Sequence, residues 1–190
     1  MPYDKYFKTK HQISTLIKTH LITCTVMIFL TVAMLTMDGN PTAKYILTSL
    51  CAFSAFLSMF SNCFDIAEKD ANPNIQRKSY PLKGLVLSIG IIGLVLFSFV
   101  CYKAAWAFFP QQATPGAGIS APCLICQLIY IFLTSPFYAF VNIVGSNSSI
   151  TGLIAYIIFI AVSCELGYFC GYKRIDFLLH IRKFMFEKKK

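Results

Sequence analysis

The stretch APCLICQLIYIFLTSPFYAF, residues 121–140, contains no charged residue and carries a proline at position 136. An apolar run of about 20 residues is long enough for a helix that crosses the hydrocarbon core of a bilayer. Proline removes a backbone donor from a helix and can end or kink it. The stretch therefore predicts either a complete membrane crossing with a kink or a helix that enters the bilayer and stops near Pro136.

The composition of the whole chain indicates a membrane protein. Hydrophobic residues make up 56% of the 190 residues, and charged residues make up 13%. Soluble domains have about 45–50% apolar and about 25% charged residues. Because so few charges could not cover the surface of a soluble protein of this length, we expect the excess apolar surface to face lipid.

The rest of the chain divides into apolar segments of similar length. A backbone in lipid must satisfy its own hydrogen bonds, so these segments are predicted to be helices. We expect an all-α membrane protein with one transmembrane domain over residues 1–172, a polytopic bundle of four to five transmembrane or re-entrant helices. A basic amphipathic tail is expected over residues 173–190. The predicted segments are 14–37, 43–64, 82–109, 121–144 and 150–172.

The basic residues predict the orientation of the bundle. They cluster before the first segment, in the polar loop at 65–84 and after the last segment. Basic residues beside membrane spans stay on the cytoplasmic side. Four crossings return the basic tail to the cytoplasm, whereas five would leave it outside. We therefore expect the segment at 121–144 to be re-entrant, with a complete crossing kinked at Pro136 as the alternative.

The basic tail is predicted to lie on the inner membrane surface, with a disordered tail as the alternative. Lysines near anionic headgroups gain about 1 kcal/mol each. The net charge of +9 is thus assigned to the lipid bilayer and not to nucleic acid. We expect a bacterial plasma membrane, with both termini cytoplasmic. The expected headgroup contacts are Lys183, Lys188, Lys189 and Lys190.

Two cysteines at the head of the 121–144 segment are candidates for redox chemistry. Cys123 and Cys126 are three apart, so they share one face of a helix. A Cys-x-x-Cys at a helix start is an arrangement used by thiol oxidoreductases. The five residues PCLIC resemble the Pro-Cys-x-x-Cys element of the DsbB family, and their position at a helix head is similar to that in vitamin K epoxide reductases. The resemblance implies thiol–disulfide exchange at Cys123 and Cys126.

The DsbB family also carries a second cysteine pair in an external loop. The two loops expected to be external in this chain contain no cysteine. Most of the eight cysteines are therefore interpreted as small apolar residues within the bundle.

Three further residues are candidates for a transport path. Glu165 is the only carboxylate well inside an apolar segment, and an ionisable group at membrane depth is costly enough to suggest a function. Asn142 and the break at Pro136 would line the same path. The alternative for Glu165 is an interfacial or ion-paired carboxylate.

No phosphate loop, nucleophile elbow or paired carboxylates are visible in the sequence, so an enzymatic role is left open and not favoured. The three histidines, His11, His20 and His180, lie near the basic ends, and no metal site or cofactor is predicted. The leading hypothesis is a small membrane-complex subunit or accessory protein that acts on a membrane-protein partner or a second copy of itself. A small transporter or channel and a thiol–disulfide oxidoreductase are the alternatives.

Overall fold

The computed structural model describes residues 9–36, 41–71, 80–109, 120–137 and 149–175, and all regular structure within them is helical. The apolar runs of the sequence form these helices. Pro122 lies in the first turn of the helix that begins at Ala121, where the backbone N–H that proline lacks would have no partner within the helix. The helices are α1 (Thr9–Thr36), α2 (Pro41–Asp70), α3 (Lys83–Phe108), α4 (Ala121–Thr134) and α5 (Ile150–Tyr172), with a 3-10 turn (Ser135–Phe137) directly after α4.

Four of these helices are long and apolar enough to cross a membrane: α1, α2, α3 and α5. Large apolar side chains cover their outer faces, among them Phe29, Phe97 and Phe108, which are 73%, 73% and 80% exposed. This exterior would be unfavourable in water and suits lipid, so the four helices suggest a multi-pass membrane protein. The apolar stretch Ala121–Phe137 is shorter than the four.

Contacts between the helices give their directions. Hydrogen bonds from Gln12 to Asp70 and from Thr19 to Asn62 show that α1 and α2 are antiparallel. The end of the bundle at which α2 ends and α3 begins is called the Asp70 end. The carbonyl of Ala105, near the end of α3, accepts a hydrogen bond from Cys123 at the start of α4. The opposite end, where α3 ends and α4 begins, is called the Cys123 end.

Helices α4 and α5 both begin at the Cys123 end of the bundle. Helix α4 enters from the Cys123 end and reaches only about 21 Å along its axis, at 1.5 Å for each of its 14 residues. Helix α5 runs parallel to α2, because Gly167 lies against Phe60 and Gly171 against Phe64. It therefore returns from the Cys123 end to the Asp70 end. The described residues thus contain four helices that are long and apolar enough to cross a membrane, and α4 is shorter than these. Residues 138–148 lie outside the described residues.

Two predicted boundaries differ from the observed helices. Helix α1 begins at Thr9, before the predicted start at 14, and α2 continues past the predicted end at 64 to Asp70. The extra turn of α2 is polar, and the sequence analysis assigned it to a loop. Asp70 is buried, however, and holds side chains from three other helices, which extends the helix to that point.

Aromatic side chains attach α4 and its turn to the neighbouring helices. The rings of Tyr102 and Tyr130 stack with centroids 5.6 Å apart and join α3 to α4. The Phe137 ring lies 4.4 Å from that of Phe159 and joins the 3-10 turn to α5. These contacts hold the end of α4 inside the bundle.

Candidate functional site

The end of α4 places backbone carbonyls in the interior of the bundle. Ser135, Pro136 and Phe137 are all buried and form a 3-10 turn directly after α4. The last carbonyls of a helix lack partners within the helix. Buried polar groups need other partners, because an unpaired carbonyl in an apolar interior is costly. Side chains of α1 and α5 supply them here.

Three side chains converge on the carbonyl oxygen of Leu133. The hydroxyl of Tyr156 donates to it at 2.9 Å, the Nε2 of His20 lies 3.1 Å away, and the thiol of Cys24 donates at 3.5 Å. His20 Nε2 also lies 3.4 Å from Cys24 Sγ and 3.3 Å from the Tyr156 hydroxyl oxygen. We call these four groups the His20 centre. All three side chains are 1% exposed or less.

Two hydroxyl groups extend the His20 centre along α1. Ser135 Oγ donates to the carbonyl of Cys24 at 3.2 Å, and Thr31 Oγ1 donates to the carbonyl of Ser135 at 3.2 Å. The polar groups thus continue past the break of α4 toward the Cys123 end.

One nitrogen of the His20 centre is unsatisfied. His20 Nδ1 is buried and has no hydrogen-bond partner among the described residues. The tautomer of a buried histidine is usually set by the hydrogen bond that its second nitrogen makes. The ring of His20 therefore keeps Nε2 available either as a donor to Leu133 or as an acceptor.

Helix α1 carries a row of polar side chains on the face that it turns toward the bundle. The α1 polar stripe consists of Gln12, Thr19, His20, Thr23, Cys24 and Thr31. Besides the Gln12–Asp70 and Thr19–Asn62 contacts, the hydroxyl groups of Thr23 and Ser58 hydrogen-bond at 3.2 Å. The stripe is about 28 Å long at 1.5 Å per residue. That length is close to the ~30 Å hydrocarbon thickness of a bilayer.

A buried ion pair lies at the Asp70 end of the stripe. The Asp70 carboxylate accepts hydrogen bonds from Lys83 Nζ at 2.5 Å, Gln12 Nε2 at 3.0 Å and the Tyr168 hydroxyl at 3.2 Å. Lys83 is 4% exposed and Asp70 is 3% exposed. A buried pair of charges is tolerated only when further hydrogen bonds satisfy it. The four side chains come from α1, α2, α3 and α5 and tie these helices together.

Glu165 caps a helix and does not join the α1 polar stripe. Its Oε2 accepts a hydrogen bond from the backbone N–H of Leu85 at 2.9 Å. Leu82, the residue that precedes α3, makes no side-chain cap. A carboxylate at a helix amino end satisfies free N–H groups and interacts favourably with the helix dipole. A Cβ at Gly84 would lie 2.7 Å from Glu165 Oε2, so the glycine permits this close approach.

Pro136 and Glu165 belong to different parts of the bundle. The Phe137 ring beside Pro136 contacts Phe159 and Tyr156, whereas Glu165 lies further along α5 at the start of α3. The described contacts thus do not bring together the two path residues predicted from sequence. Asn142, the third, lies outside the described residues, as do Lys183, Lys188, Lys189 and Lys190.

The cysteine pair at the head of α4 packs against α3. Cys123 is fully buried, and its thiol donates to the carbonyl of Ala105 at 3.2 Å. Cys126 is partly exposed, and both cysteines are free thiols in this structure. The hydrogen bond gives Cys123 a packing role at the carboxyl end of α3.

His20 was missed as a site residue because it was assigned to the basic amino-terminal region. The sequence contained a signal, since His20 and Cys24 are four apart and share a face of the first apolar segment.

In the part of the chain that the structure describes, no three His, Cys, Asp or Glu side chains come together as a metal site. No protein-family model, curated protein or solved structure matches this chain.

Proposed function

We propose that the protein is a small integral membrane transporter or channel that moves a small cation or a proton along the α1 polar stripe. The observation that supports this function is the combination of the stripe with the His20 centre. Half-helices that end near the middle of a membrane bundle form the substrate and ion sites of many transporters. Here the carbonyl end of α4 meets the stripe at the His20 centre.

One apolar interruption of the stripe suits a gate. Leu16 is fully buried and lies on α1 between Gln12 and Thr19. It separates the Asp70–Lys83 pair from the hydroxyl groups deeper in the bundle. Hydrophobic constrictions gate channels by excluding water. In the proposed function Leu16 is this constriction, and the ion pair lies on its cytoplasmic side.

The distribution of basic residues supports the proposed orientation. Lys83 at the start of α3 and Arg174 after α5 lie at the Asp70 end, where Arg174 donates to the carbonyl of Ala71 at 3.3 Å. The rule that basic residues stay inside assigns this end to the cytoplasm. We propose a bacterial plasma membrane with both termini cytoplasmic and with the basic tail on anionic headgroups.

Flux into proteoliposomes tests the function. Thr23→Val removes the hydroxyl that meets Ser58 while keeping the shape of the side chain. Thr25→Val is the matched control, because Thr25 lies on the same helix, donates to its own helix at Leu21 and faces outward. We expect wild-type protein and Thr25→Val to carry protons or monovalent cations faster than empty liposomes, and Thr23→Val to be slower. Wild-type protein that does not exceed empty liposomes for any of these ions would refute the function.

A subunit or accessory role is the second candidate, and one observation favours it. Gly93 of α3 is exposed, and a Cβ there would meet nothing within 4 Å. Small residues allow close approach of a partner helix in lipid. Blue-native electrophoresis in mild detergent tests this role, and a monomer without co-purifying protein would count against it.

A further inference from the structure

The His20 centre holds more polar atoms than the end of α4 requires. A carbonyl oxygen has two lone pairs and is satisfied by two donors. Tyr156 and His20 lie 2.9 and 3.1 Å from the Leu133 oxygen and can saturate it. The Cys24 thiol, at 3.5 Å, is a third and weaker donor. The same sulfur lies 3.4 Å from His20 Nε2, so an imidazole nitrogen and a thiol sulfur face each other inside the bundle.

We infer that His20 Nε2 and Cys24 Sγ form a binding site for a soft monovalent cation of the Cu(I) or Ag(I) class. The inference rests on the proposed transport function and names the class of ion that would be transported. Soft thiolate ligands favour Cu(I), zinc and iron–sulfur clusters, and imidazole suits copper and zinc, so the donor set fits copper.

The spacing of the two atoms suits one shared cation. With metal bonds of about 2.0 Å to nitrogen and about 2.3 Å to sulfur, atoms 3.4 Å apart bind one ion at an angle of about 105°. The Leu133 oxygen lies 3.1 Å from His20 Nε2 and 3.5 Å from Cys24 Sγ, so it is near both ligand atoms. The Tyr156 hydroxyl lies 3.3 Å from His20 Nε2 and donates to the Leu133 oxygen.

The charge of the site selects a monovalent ion. The side chains that hydrogen-bond within the His20 centre include one thiol and no carboxylate among the described residues. When a cation binds, the S–H bond of Cys24 breaks, a metal–sulfur bond forms and the proton leaves to water. One positive charge enters and one leaves, so the site remains neutral. A divalent ion would leave a net positive charge in the interior, which is costly.

The free Nδ1 of His20 allows the ring to act as a ligand. Coordination through Nε2 requires the ring hydrogen to be on Nδ1. Nδ1 has no partner among the described residues, so the tautomer is decided at Nε2, where a bound cation takes the place of the hydrogen bond to the Leu133 oxygen. Two more sulfur atoms follow in the direction of the Cys123 end, where Met27 and Cys51 pack together in one buried cluster. Soft ligands thus continue beyond the site.

Titration of the purified full-length protein in nanodiscs with Ag(I), in competition with a chromophoric chelator, tests the site. We expect Cys24→Ser and His20→Asn each to lose one equivalent of tightly bound Ag(I) relative to wild type. Cys123→Ser and His11→Asn are the matched controls and are expected to retain the tightest Ag(I) equivalent, because a single thiol such as that of Cys123 competes less well with the chelator than the Cys24–His20 pair does. Unchanged stoichiometry in both test variants would overturn the inference. Loss in Cys24→Ser alone would also overturn it, because it indicates a thiol that binds without the imidazole.

X-ray absorption at the copper edge of the wild-type Cu(I) complex needs no variant and remains valid if a substitution unfolds the protein. One nitrogen and one sulfur in the nearest shell are expected, and a shell of sulfur alone would overturn the site. The binding and flux results separate the two proposals. Proton or alkali-cation flux without the His20- and Cys24-dependent Ag(I) site would refute the metal site only. Binding without any flux, Ag(I) flux included, would refute the transport function only.

Discussion

The close packing of α2 against α5 depends on glycine residues. A single methyl group added at one of them tests how closely the two helices approach. A Cβ at Gly167 would lie 2.9 Å from the Cα and 3.0 Å from the carbonyl carbon of Phe60, and closer still to its carbonyl oxygen. These are backbone atoms, which cannot rotate away as a flexible side chain would. Gly167→Ala must therefore push two helices apart. Overpacking of this kind costs about 1–3 kcal/mol.

Gly93→Ala is the matched control for this substitution. Alanine is favoured over glycine in a helix by up to about 1 kcal/mol. Both substitutions gain this contribution, so it cancels when the two variants are compared. At Gly93 the new methyl group meets nothing within 4 Å. The difference in the free energy of unfolding between the variants is therefore the packing cost alone, about 1–3 kcal/mol.

Thermal unfolding in detergent, followed with a thiol-reactive dye, measures this difference. The buried thiols react only when the bundle opens; they are Cys24, Cys51, Cys63, Cys123 and Cys164. For a chain of 150–250 residues, 1–3 kcal/mol corresponds to a difference in Tm of roughly 2–12 °C. Gly167→Ala should unfold at the lower temperature. Equal midpoints for Gly167→Ala and Gly93→Ala would refute the close approach of α2 and α5.

Two more substitution experiments test contacts between helices. Asp70→Asn and Lys83→Met should each destabilise the protein by about 3–5 kcal/mol, because each leaves a buried partner unpaired. The double variant should lose clearly less stability than the sum of the two single variants. Additive losses in the same unfolding assay would contradict the ion pair. Cys63 of α2 and Cys164 of α5 are both fully buried in one core cluster where these helices approach closely, so a variant that retains only these two cysteines should form a disulfide under mild oxidation. A variant that retains only Cys63 and Cys170 is the control, and equal cross-linking of both on mass spectrometry would contradict the predicted register.

The sequence was sufficient to predict a helical bundle with four candidate membrane spans, because length and composition are local properties of the chain. The sequence predicted five apolar segments, and the basic residues favoured an even number of crossings. The proline in SPF marked the segment expected to be re-entrant, which stays a prediction. The described structure places the end of α4 at Thr134, directly before that motif. This part of the fold depends on local chain properties, which a sequence displays directly.

The roles of Glu165 and His20 could not be predicted, because they depend on which helices are neighbours. In sequence Glu165 is an isolated carboxylate in an apolar run, and only the approach of α3 turns it into a helix cap. His20 follows several polar residues and resembles part of a basic flank. It is buried because α4 ends beside it and because Tyr156 of α5 reaches the same carbonyl. Neither relation is encoded in local spacing.

The polar residues of α1 are not explained by stability alone. Hydrogen bonds between membrane helices contribute about 0.6 kcal/mol each on average. The α1–α2 contacts of Thr19 and Thr23 therefore stabilise the bundle by only about 1 kcal/mol together. Thr23 and Thr31 already bond to carbonyls of their own helix, at Thr19 and Met27, and need no partner on another helix. Apolar side chains would fill the same volume at similar or greater stability. A row of such groups about as long as the bilayer is thick, which meets the carbonyl end of α4, is therefore the reason that we propose passage of an ion along it.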